Sequence, residues 1–432
     1  MKKIIAILVA LVLAIGCVFC FAACSNDGDQ KDDVSGESTS NGAESTSGDS
    51  TDASDVKIGV ILVGDENEGY TYAHIAGIEA AMAELNIPKE NVIFKYTVPE
   101  DEKCYDTAVD LAEQGCVAIF SNSYGHQAHM QRAASVYPDI TFVAATGDTA
   151  KASGLKNFCN AFTSIYEARY VSGIVAGLKV AELVENGKLT DKNYDKDGNV
   201  KIGYVGAYPY AEVVSGYTAF FLGIQSVYEK VAMDVSYTNS WFSLTDEAAA
   251  ADALAASGCV IIGQHADSTG APSAVQALHS KGQEVYSVGY NIDMLSVAPD
   301  AALTSATNNW GAYYTYAFGQ ILNGEEIATN WSEGYKTDAV AITTLGSACA
   351  EGTQAKVDEA IKAIKDGELH VFDTEKFTVD GKKVTSAFAT DTDGDFTPDA
   401  DEAIIDGYYH ESYFQSAPSF ALRIDGITEL SD

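Results

Sequence analysis

The chain has 432 residues, 20% of them charged, and its formal net charge is −36 at pH 7. A nucleic-acid-binding protein needs a basic surface to neutralise phosphates, so this acidic excess excludes that class. The length allows two domains, each with a hydrophobic core of its own.

The start of the chain has the pattern of a bacterial secretory signal. Basic residues are followed by an apolar run over residues 4–23 and by small residues before Cys24. The sequence Phe-Ala-Ala-Cys24 is similar to a lipoprotein lipobox, which implies cleavage before Cys24 and a lipid on its sulfur. Cleavage before Cys17 and an uncleaved membrane helix are the alternatives. We therefore expect a signal peptide over residues 1–23 and a lipid-anchored protein on the outer face of a cell membrane.

Residues 24–55 differ in composition from the rest of the chain. They are rich in Ser, Thr, Gly, Asp and Glu and contain no aromatic residue. Such a segment buries too little apolar surface to offset the loss of chain entropy on folding. We expect a disordered acidic tether between the anchor and the folded part.

Strand and helix patterns alternate from residue 57 onward and restart after residue 163. The predicted strands cover residues 57–63, 92–96, 116–121, 141–145, 157–162, 201–206, 234–239, 259–263 and 284–290. The predicted helices cover residues 73–85, 105–114, 126–136, 165–183, 215–228, 246–256 and 271–281. This alternation predicts two parallel α/β sheets in series, with a ligand crevice where the carboxyl ends of their strands face each other.

Two loops at these strand ends carry aromatic and hydrogen-bonding side chains and almost no cations. Residues 63–74 follow the first predicted strand, and residues 263–268 follow the strand that begins at Cys259. The chain contains only the three arginines 132, 169 and 423, and no crevice loop holds one of them. Binders of carboxylates or phosphates usually aim a guanidinium at the anion, so a neutral, flat, polar ligand is expected.

Seven short motifs occur in order over about residues 57–345. They are Gly69-Tyr-Thr-Tyr-Ala-His74, Glu167-Ala-Arg-Tyr-Val-Ser-Gly173, Lys201-Ile-Gly-Tyr-Val-Gly-Ala207, Asn239-Ser-Trp-Phe242 with Glu247, Gln264-His-Ala-Asp-Ser268, Val288-Gly-Tyr-Asn-Ile-Asp-Met294 and Asn309-Trp-Gly311. Through them the chain resembles the basic membrane protein family of ABC-transporter substrate-binding lipoproteins, which includes purine-nucleoside-binding proteins.

The resemblance implies a type I periplasmic-binding-protein fold, with two Rossmann-like lobes joined by three crossings near Thr163, Asn291 and Thr329. The N-terminal lobe would comprise residues 56–163 and 292–328. The C-terminal lobe would comprise residues 164–291 and 329–432, the latter ending in an acidic extension.

The resemblance also implies which residues face the ligand. In the family, aromatic side chains occur at the positions of Tyr70 and Trp241, and the first of them stacks on the base. One ring from each lobe would sandwich a purine, whereas packing at the lobe edge is the alternative role. The candidate ligand-binding residues are Tyr70, Tyr72, Asn122, Ser123, Trp241, His265, Asp267, Asn291, Asp293, Asn309 and Trp310.

The polar candidates leave the exact ligand open. Asn122 and Ser123 follow a strand and either bind the base or cap the next helix. The carboxylates of Asp267 and Asp293 accept hydrogen bonds from sugar hydroxyls or purine N–H groups and disfavour anions. Asn291 stands where the nucleoside-binding branch has an acidic residue, and a lysine of that branch is absent near Asn309. A free base is thus as plausible as a nucleoside.

An acidic loop near the C-terminus has the spacing of an EF-hand-like site. Oxygen ligands for calcium are available at Asp391, Asp393, Asp395 and Glu402, but Phe396 replaces the glycine that the turn requires. A solvated acidic loop is the alternative.

We therefore expect the extracytoplasmic receptor of an ABC importer, without a cofactor. It would capture a purine base or nucleoside between two lobes and deliver it to a permease that a separate ATPase drives, because the chain has no P-loop. A sugar or autoinducer receptor on the same fold is one alternative. An enzyme that processes nucleosides is the other.

Overall fold

A computed structural model describes residues 56–393, 395 and 397–431. The predicted signal peptide, the lipidation site at Cys24 and the tether lie outside these residues. Among the helices of the described residues, none has the length and apolar character needed to cross a bilayer.

The elements are numbered in chain order. The strands are β1 (Ile58–Ile61), β2 (Val92–Lys95), β3 (Ala118–Ser121), β4 (Thr141–Ala145), β5 (Phe158–Thr163), β6 (Val200–Gly206), β7 (Val231–Tyr237), β8 (Ile261–Gln264), β9 (Tyr286–Tyr290), β10 (Ala302–Asn308), β11 (Asn330–Glu333), β12 (Val340–Ile342), β13 (Phe388–Thr390), β14 (Ala400–Glu402), β15 (Ile404–Ile405), β16 (Tyr408–Tyr409) and β17 (Ile427–Glu429). The α-helices are α1 (Gly69–Glu84), α2 (Glu102–Glu113), α3 (Gln127–Val136), α4 (Ala150–Ser153), α5 (Ile165–Glu185), α6 (Ala211–Gln225), α7 (Leu244–Ser257), α8 (Gly270–His279), α9 (Trp310–Leu322) and α10 (Thr353–Lys365).

Two mainly parallel sheets form the centres of two lobes. The first sheet has the order β11-β5-β4-β3-β1-β2, and all its neighbouring strands are parallel. The second has the order β12-β10-β9-β8-β6-β7-β17, in which only the pair of β10 and β12 is antiparallel. This arrangement confirms the predicted α/β architecture of two Rossmann-like lobes.

The first crossing between the lobes follows β5, and the second differs from the prediction near Asn291. β5 ends the first-lobe run at Thr163, and α5 then packs in the core of the second lobe. β10, which the sequence analysis assigns to the first lobe, pairs in parallel with β9 in the second sheet. α9 packs in the first-lobe core, so the second crossing follows Asn308 and not Asn291.

The third crossing also differs from the prediction near Thr329. β11 pairs in parallel with β5 and belongs to the first sheet, whereas β12 pairs with β10 in the second. The chain therefore crosses between Glu333 and Val340. Residues 302–308 belong to the second lobe and residues 330–333 to the first, because backbone pairing with β9 and β5 decides their place.

The described residues of the C-terminal segment (374–393, 395 and 397–431) complete the second lobe. Its strand β17 adds to the edge of the second sheet beside β7. Phe420 is fully buried and stacks on Phe372 at 4.3 Å between ring centroids. Glu429 accepts hydrogen bonds from the hydroxyls of Tyr217 at 2.7 Å and Tyr237 at 2.8 Å. The segment is therefore part of the folded lobe.

Two glycines allow the helices α5 and α6 to pack in close contact. A Cβ atom on Gly173 would lie 2.1 Å from the carbonyl oxygen of Phe220. A Cβ atom on Gly223 would lie 2.0 Å from the carbonyl oxygen of Tyr170. Any larger residue at either position would push these helices apart.

Candidate functional site

A cavity of about 430 Å³ lies between the lobes, at the carboxyl ends of the strands of both sheets. Its size suits a small-molecule ligand. The aromatic residues that line it are Tyr70, Tyr124, Trp241, Phe242 and Tyr290. The acidic residues that line it are Asp65, Glu68, Glu100, Glu212 and Asp267. Five of the candidate residues from the sequence meet there: Tyr70, Asn122, Ser123, Trp241 and Asp267.

Tyr70 is held by the first turn of α1. This helix begins at Gly69, earlier than predicted, because Glu68 caps it by accepting a hydrogen bond from the backbone N–H of Thr71. The hydroxyl of Tyr70 donates to the carbonyl oxygen of Asn122. On the same helix the side chain of Tyr72 is 51% exposed and does not line the cavity.

Trp310 supports Tyr70 from behind and does not line the cavity. It is 1% exposed and stacks on the ring of His74 at 4.0 Å between centroids. His74 is itself hydrogen-bonded to the hydroxyl of Tyr314 at 2.8 Å. Tyr70 contacts both rings edge-on, at 4.7 Å from His74 and 6.5 Å from Trp310. The structure thus places Trp310 in the first-lobe core.

Asn122 and Ser123 line the cavity, and both have partners within the first lobe. The amide of Asn122 accepts from the backbone N–H of Val63 at 2.8 Å and donates to Thr71 at 3.3 Å. The hydroxyl of Ser123 donates to Glu100. Neither side chain caps the following helical turn. These bonds fix the loops after β1 and β3 against each other.

The second lobe contributes a group of aromatic rings around Trp241. Tyr208 and Tyr210, which follow β6, stack on each other at 5.1 Å, and Tyr208 meets Trp241 edge-on at 5.3 Å. The carbonyl oxygen of Trp241 accepts a hydrogen bond from the backbone N–H of Asp267 at 2.7 Å. The loops after β6, β7 and β8 are thereby joined around one aromatic surface.

A chain of side-chain hydrogen bonds connects the cavity with the crossings between lobes. Asn291 donates to Asp267 and accepts from Asn308 at 2.9 Å. Asn308, the last residue of β10, also accepts from the hydroxyl of Thr163, the last residue of β5. Asn291 is buried and lies behind Asp267, outside the cavity lining.

Arg169 and His265 form a second buried layer under the cavity. The guanidinium of Arg169 lies 3.8 Å over the ring of Tyr290 and donates to the carbonyl of Gln264. Burial and the nearby Arg169 lower the pKa of His265 to about 4, so its ring is neutral at pH 7. Its Nε2 lies 3.1 Å from the Glu212 carboxylate, which only accepts, so Nε2 is the donor.

The charge of the cavity is negative. Among its described lining residues there are five acidic side chains and neither lysine nor arginine. Burial raises the pKa of Asp267 well above its usual range, and three nearby carboxylates add to this shift. Such a site favours N–H and O–H donors and repels carboxylates and phosphates.

Two further candidates lie away from this cavity. Asp293 is exposed and accepts a hydrogen bond from the backbone N–H of Leu295 at 2.7 Å. Asn309 precedes α9, donates to the carbonyl of Asp338 at 2.8 Å and lines a different cavity on the first lobe.

Several lining residues were not predicted from the sequence. Glu68 and Tyr290 lie within residues 63–74 and 288–294, so their place after predicted strands is the signal that could have identified them. Glu212 and Glu100 follow β6 and β2 without any distinguishing pattern. Only the approach of the two sheets brings them to the cavity.

The acidic loop is only partly assembled. Carboxylate oxygens of Asp391, Asp393 and Asp395 lie within 4.8 Å of one another. Glu402 instead accepts hydrogen bonds from Ser386 and from the backbone N–H of Ala387. The predicted calcium ligand set is therefore not brought together, and the three aspartates alone do not define a site.

Comparison with known proteins identifies the family. Residues 55–373 match the model of the Bmp family, described as ABC transporter substrate-binding protein, PnrA-like. The protein belongs to the Bmp family. This match confirms the family that the sequence motifs indicate. The protein is a substrate-binding protein of an ABC transporter, and the family is extracytoplasmic.

Individual relatives agree with this family. A purine-binding protein of Brucella abortus is 31% identical over 318 residues, which cover 73% of this chain and 83% of the relative. A putative ABC transporter glucose-binding protein of Haloferax volcanii is 27% identical, covering 70% of each chain. The structure of a solute-binding protein from Conexibacter woesei shares the fold, with a TM-score of 0.56 and 19% identity over 73% of this Bmp protein and 98% of the other chain.

Proposed function

We propose that this Bmp protein captures a purine base or nucleoside in the cavity between its lobes and delivers it to an ABC permease. One observation carries the proposal: Tyr70 from the first lobe and Trp241 from the second line the same cavity. Aromatic faces on opposite lobes suit a flat heterocycle, and each stacking contact is worth roughly 1–3 kcal/mol by analogy with bases in nucleic-acid complexes. Closure of the lobes then brings both rings onto the ligand.

The polar groups suit the hydrogen-bonding edge of a purine. Asp267 and Glu68 present carboxyl oxygens that accept from ring N–H and exocyclic amino groups. The relative from Brucella abortus is named for purine binding, which supports the same ligand class. The absence of cations among the described lining residues argues against nucleotides.

Anchoring belongs to the same proposal. A lipid on Cys24 would hold the protein at the membrane surface, beside the permease and its ATPase. Expression of the full chain in a bacterial host, with Cys24→Ala as the comparison, tests this point. Membrane association that survives the substitution would contradict the anchor.

A sugar is the second candidate ligand. The relative from Haloferax volcanii is described as a putative glucose-binding protein, and aromatic rings with carboxylates also bind pyranoses. Calorimetric titration with adenine, guanine, adenosine, glucose and ribose separates the two. Binding of a purine compound with no response to either sugar supports the proposal, and the reverse result overturns it.

A further inference from the structure

A second cavity adjoins the first and is bounded partly by the C-terminal segment. It has a volume of about 310 Å³. The residues of the C-terminal segment that line it are Ala389, Thr390, Asp391, Pro398, Gln415, Ala417, Pro418 and Ser419. Tyr124, Thr146, Glu212 and Trp241 line both cavities, so the two meet at these side chains. The family match ends at residue 373, and the segment that closes the second cavity lies beyond that match.

The C-terminal segment reaches across the cleft. Its core lies in the second lobe, but the buried hydroxyl of Ser416 donates to the carbonyl oxygen of Gly147 in the first lobe at 3.0 Å. Close by, the ammonium of Lys151 lies 5.6 Å from the ring centre of Phe414. These contacts hold the wall of the second cavity against both lobes.

The second cavity has a definite chemical character. Asp148 and Glu212 provide carboxylates, and Ala417 and Pro418 provide apolar surface. Asp148 is held in place by hydrogen bonds from Gln127 at 3.1 Å and from the hydroxyl of Tyr124 at 3.2 Å. No lysine or arginine occurs among the described residues that line it. The cavity therefore suits hydroxyl or amino groups and disfavours anions.

We infer that the second cavity binds a hydroxyl- or amine-bearing substituent of the ring that occupies the first cavity. The inference rests on the proposed purine site and extends it. The C-terminal segment then contributes to ligand selection as well as to the core of the second lobe. A ring whose substituent ends in a phosphate or carboxylate is excluded by Asp148 and Glu212.

The test narrows the second cavity and leaves the first unchanged. Ala152, an exposed residue of α4, lines only the second cavity, so Ala152→Phe adds a ring there without disturbing a core. Ala128→Phe is the matched control, because Ala128 is also exposed on a first-lobe helix and lines neither cavity. Adenine, adenosine and adenosine monophosphate are titrated against the unaltered protein and both variants.

We expect adenosine to bind the unaltered protein more tightly than adenine or the monophosphate. Ala152→Phe should weaken adenosine binding by about tenfold, the cost of losing one or two hydrogen bonds, and leave adenine binding unchanged. An unchanged ratio of adenosine to adenine affinity in a folded Ala152→Phe variant overturns the inference while the purine site stands. If the adenine series does not bind, the same comparison is made with guanine, guanosine and guanosine monophosphate. Failure of both series to bind the unaltered protein overturns the proposed function itself.

Ser416→Ala provides a second, independent measurement. It removes the hydrogen bond to Gly147 and leaves every residue of the second cavity in place. The dissociation rate of adenosine should rise several-fold in stopped-flow experiments, and that of adenine should not. Equal effects on both ligands contradict a role of the segment in holding the substituent.

Discussion

The side-chain amide of Asn291 donates a hydrogen bond to Asp267, and Asn291 adopts a left-handed backbone conformation with φ of 62°. The amide oxygen of Asn291 accepts a hydrogen bond from Asn308, whose own amide oxygen accepts one from the hydroxyl of Thr163. Thr163 and Asn308 end two of the three strands after which the chain crosses between lobes. Three hydrogen bonds in series therefore connect Asp267, which lines the cavity, to Thr163 at the first crossing between the lobes.

This relationship predicts that Asp267→Asn separates binding from stability. Purine affinity should fall by about tenfold or more, because the amide has only one oxygen, which Asn291 occupies, and it presents an N–H donor to the ligand where Asp267 presents a second oxygen. Stability at pH 7 should not fall, since burial already disfavours the charged form of Asp267 and Asn retains an acceptor for Asn291. Calorimetric titration and urea unfolding measure the two quantities. Full affinity in the variant would remove Asp267 from the site.

The aromatic pair gives a second prediction. Tyr70→Ala and Trp241→Ala should each weaken purine binding by at least about tenfold, because tenfold corresponds to about 1.4 kcal/mol and a stacking contact is worth about 1–3 kcal/mol. Tyr72→Ala is the control, because Tyr72 lies on the same helix, is 51% exposed and does not line the cavity. Its affinity should equal that of the unaltered protein. Normal binding by both cavity variants would contradict the proposed stacking.

The difference between Tyr70 and Tyr72 shows what the motif alone could not decide. The sequence analysis places both in a loop, whereas the cap formed by Glu68 starts a helix at Gly69. In a helix, residues four apart share a face, so Tyr70 lies with His74 and Tyr72 lies elsewhere. The two-lobe fold and the positions of Tyr70, Trp241 and Asp267 after strands followed from the sequence pattern.

The strand partners of β10 and β11 could not be predicted in the same way. Hydrophobic patterns locate a strand but do not say which sheet edge it joins. β10 continues the second sheet beside β9, and β11 returns to the first sheet beside β5. After β10 the chain crosses to the first lobe, and α9 begins there at Trp310. Trp310 therefore lies in the first-lobe core and stacks on His74, although the sequence predicts that it contacts the ligand.

Because Trp310 lies in the core, its substitution should lower the free energy of unfolding more than it lowers ligand affinity. Trp310→Ala leaves a cavity in the first-lobe core and should lower the free energy of unfolding by about 3–5 kcal/mol. Urea denaturation followed by circular dichroism measures this change. A loss below about 0.5 kcal/mol would contradict a core role, since that is the range of surface substitutions.

The contact between α5 and α6 predicts opposite effects for two glycine substitutions. Gly173→Ala should be strongly destabilising, because its Cβ would lie 2.1 Å from the carbonyl oxygen of Phe220. Gly319→Ala in α9 should be neutral or stabilising by up to about 1 kcal/mol, because nothing lies within 4 Å of a Cβ there and alanine favours helix. Melting temperatures of the two variants give the comparison. Equal melting temperatures would contradict the close helix contact.

The C-terminal segment also predicts a pH dependence of stability. Burial raises the pKa of Glu411 to about 7 from 4.5, although its carboxylate accepts hydrogen bonds from Ser419 and from the backbone N–H of Phe420. Between these two pH values the folded state holds a proton that the unfolded state has released. Stability therefore falls as pH rises from about 4.5 to about 7, and stays lower above that range. Glu167, whose pKa burial also raises to about 7, adds to the same trend.

Glu411→Gln removes the contribution of the Glu411 carboxyl group to the pH dependence of stability. At pH 8 the variant should be more stable than the unaltered protein by about 3 kcal/mol, and near pH 4.5 the difference should fall below about 0.5 kcal/mol. Urea unfolding at pH 4.5, 6 and 8 measures the trend, with Glu351→Gln as an exposed control that should leave the pH profile unchanged. A Glu411→Gln profile parallel to that of the unaltered protein would mean that Glu411 is already ionised at neutral pH. In that case solvent would have to reach the Glu411 carboxylate. That result would contradict the close packing of the C-terminal segment on the second lobe.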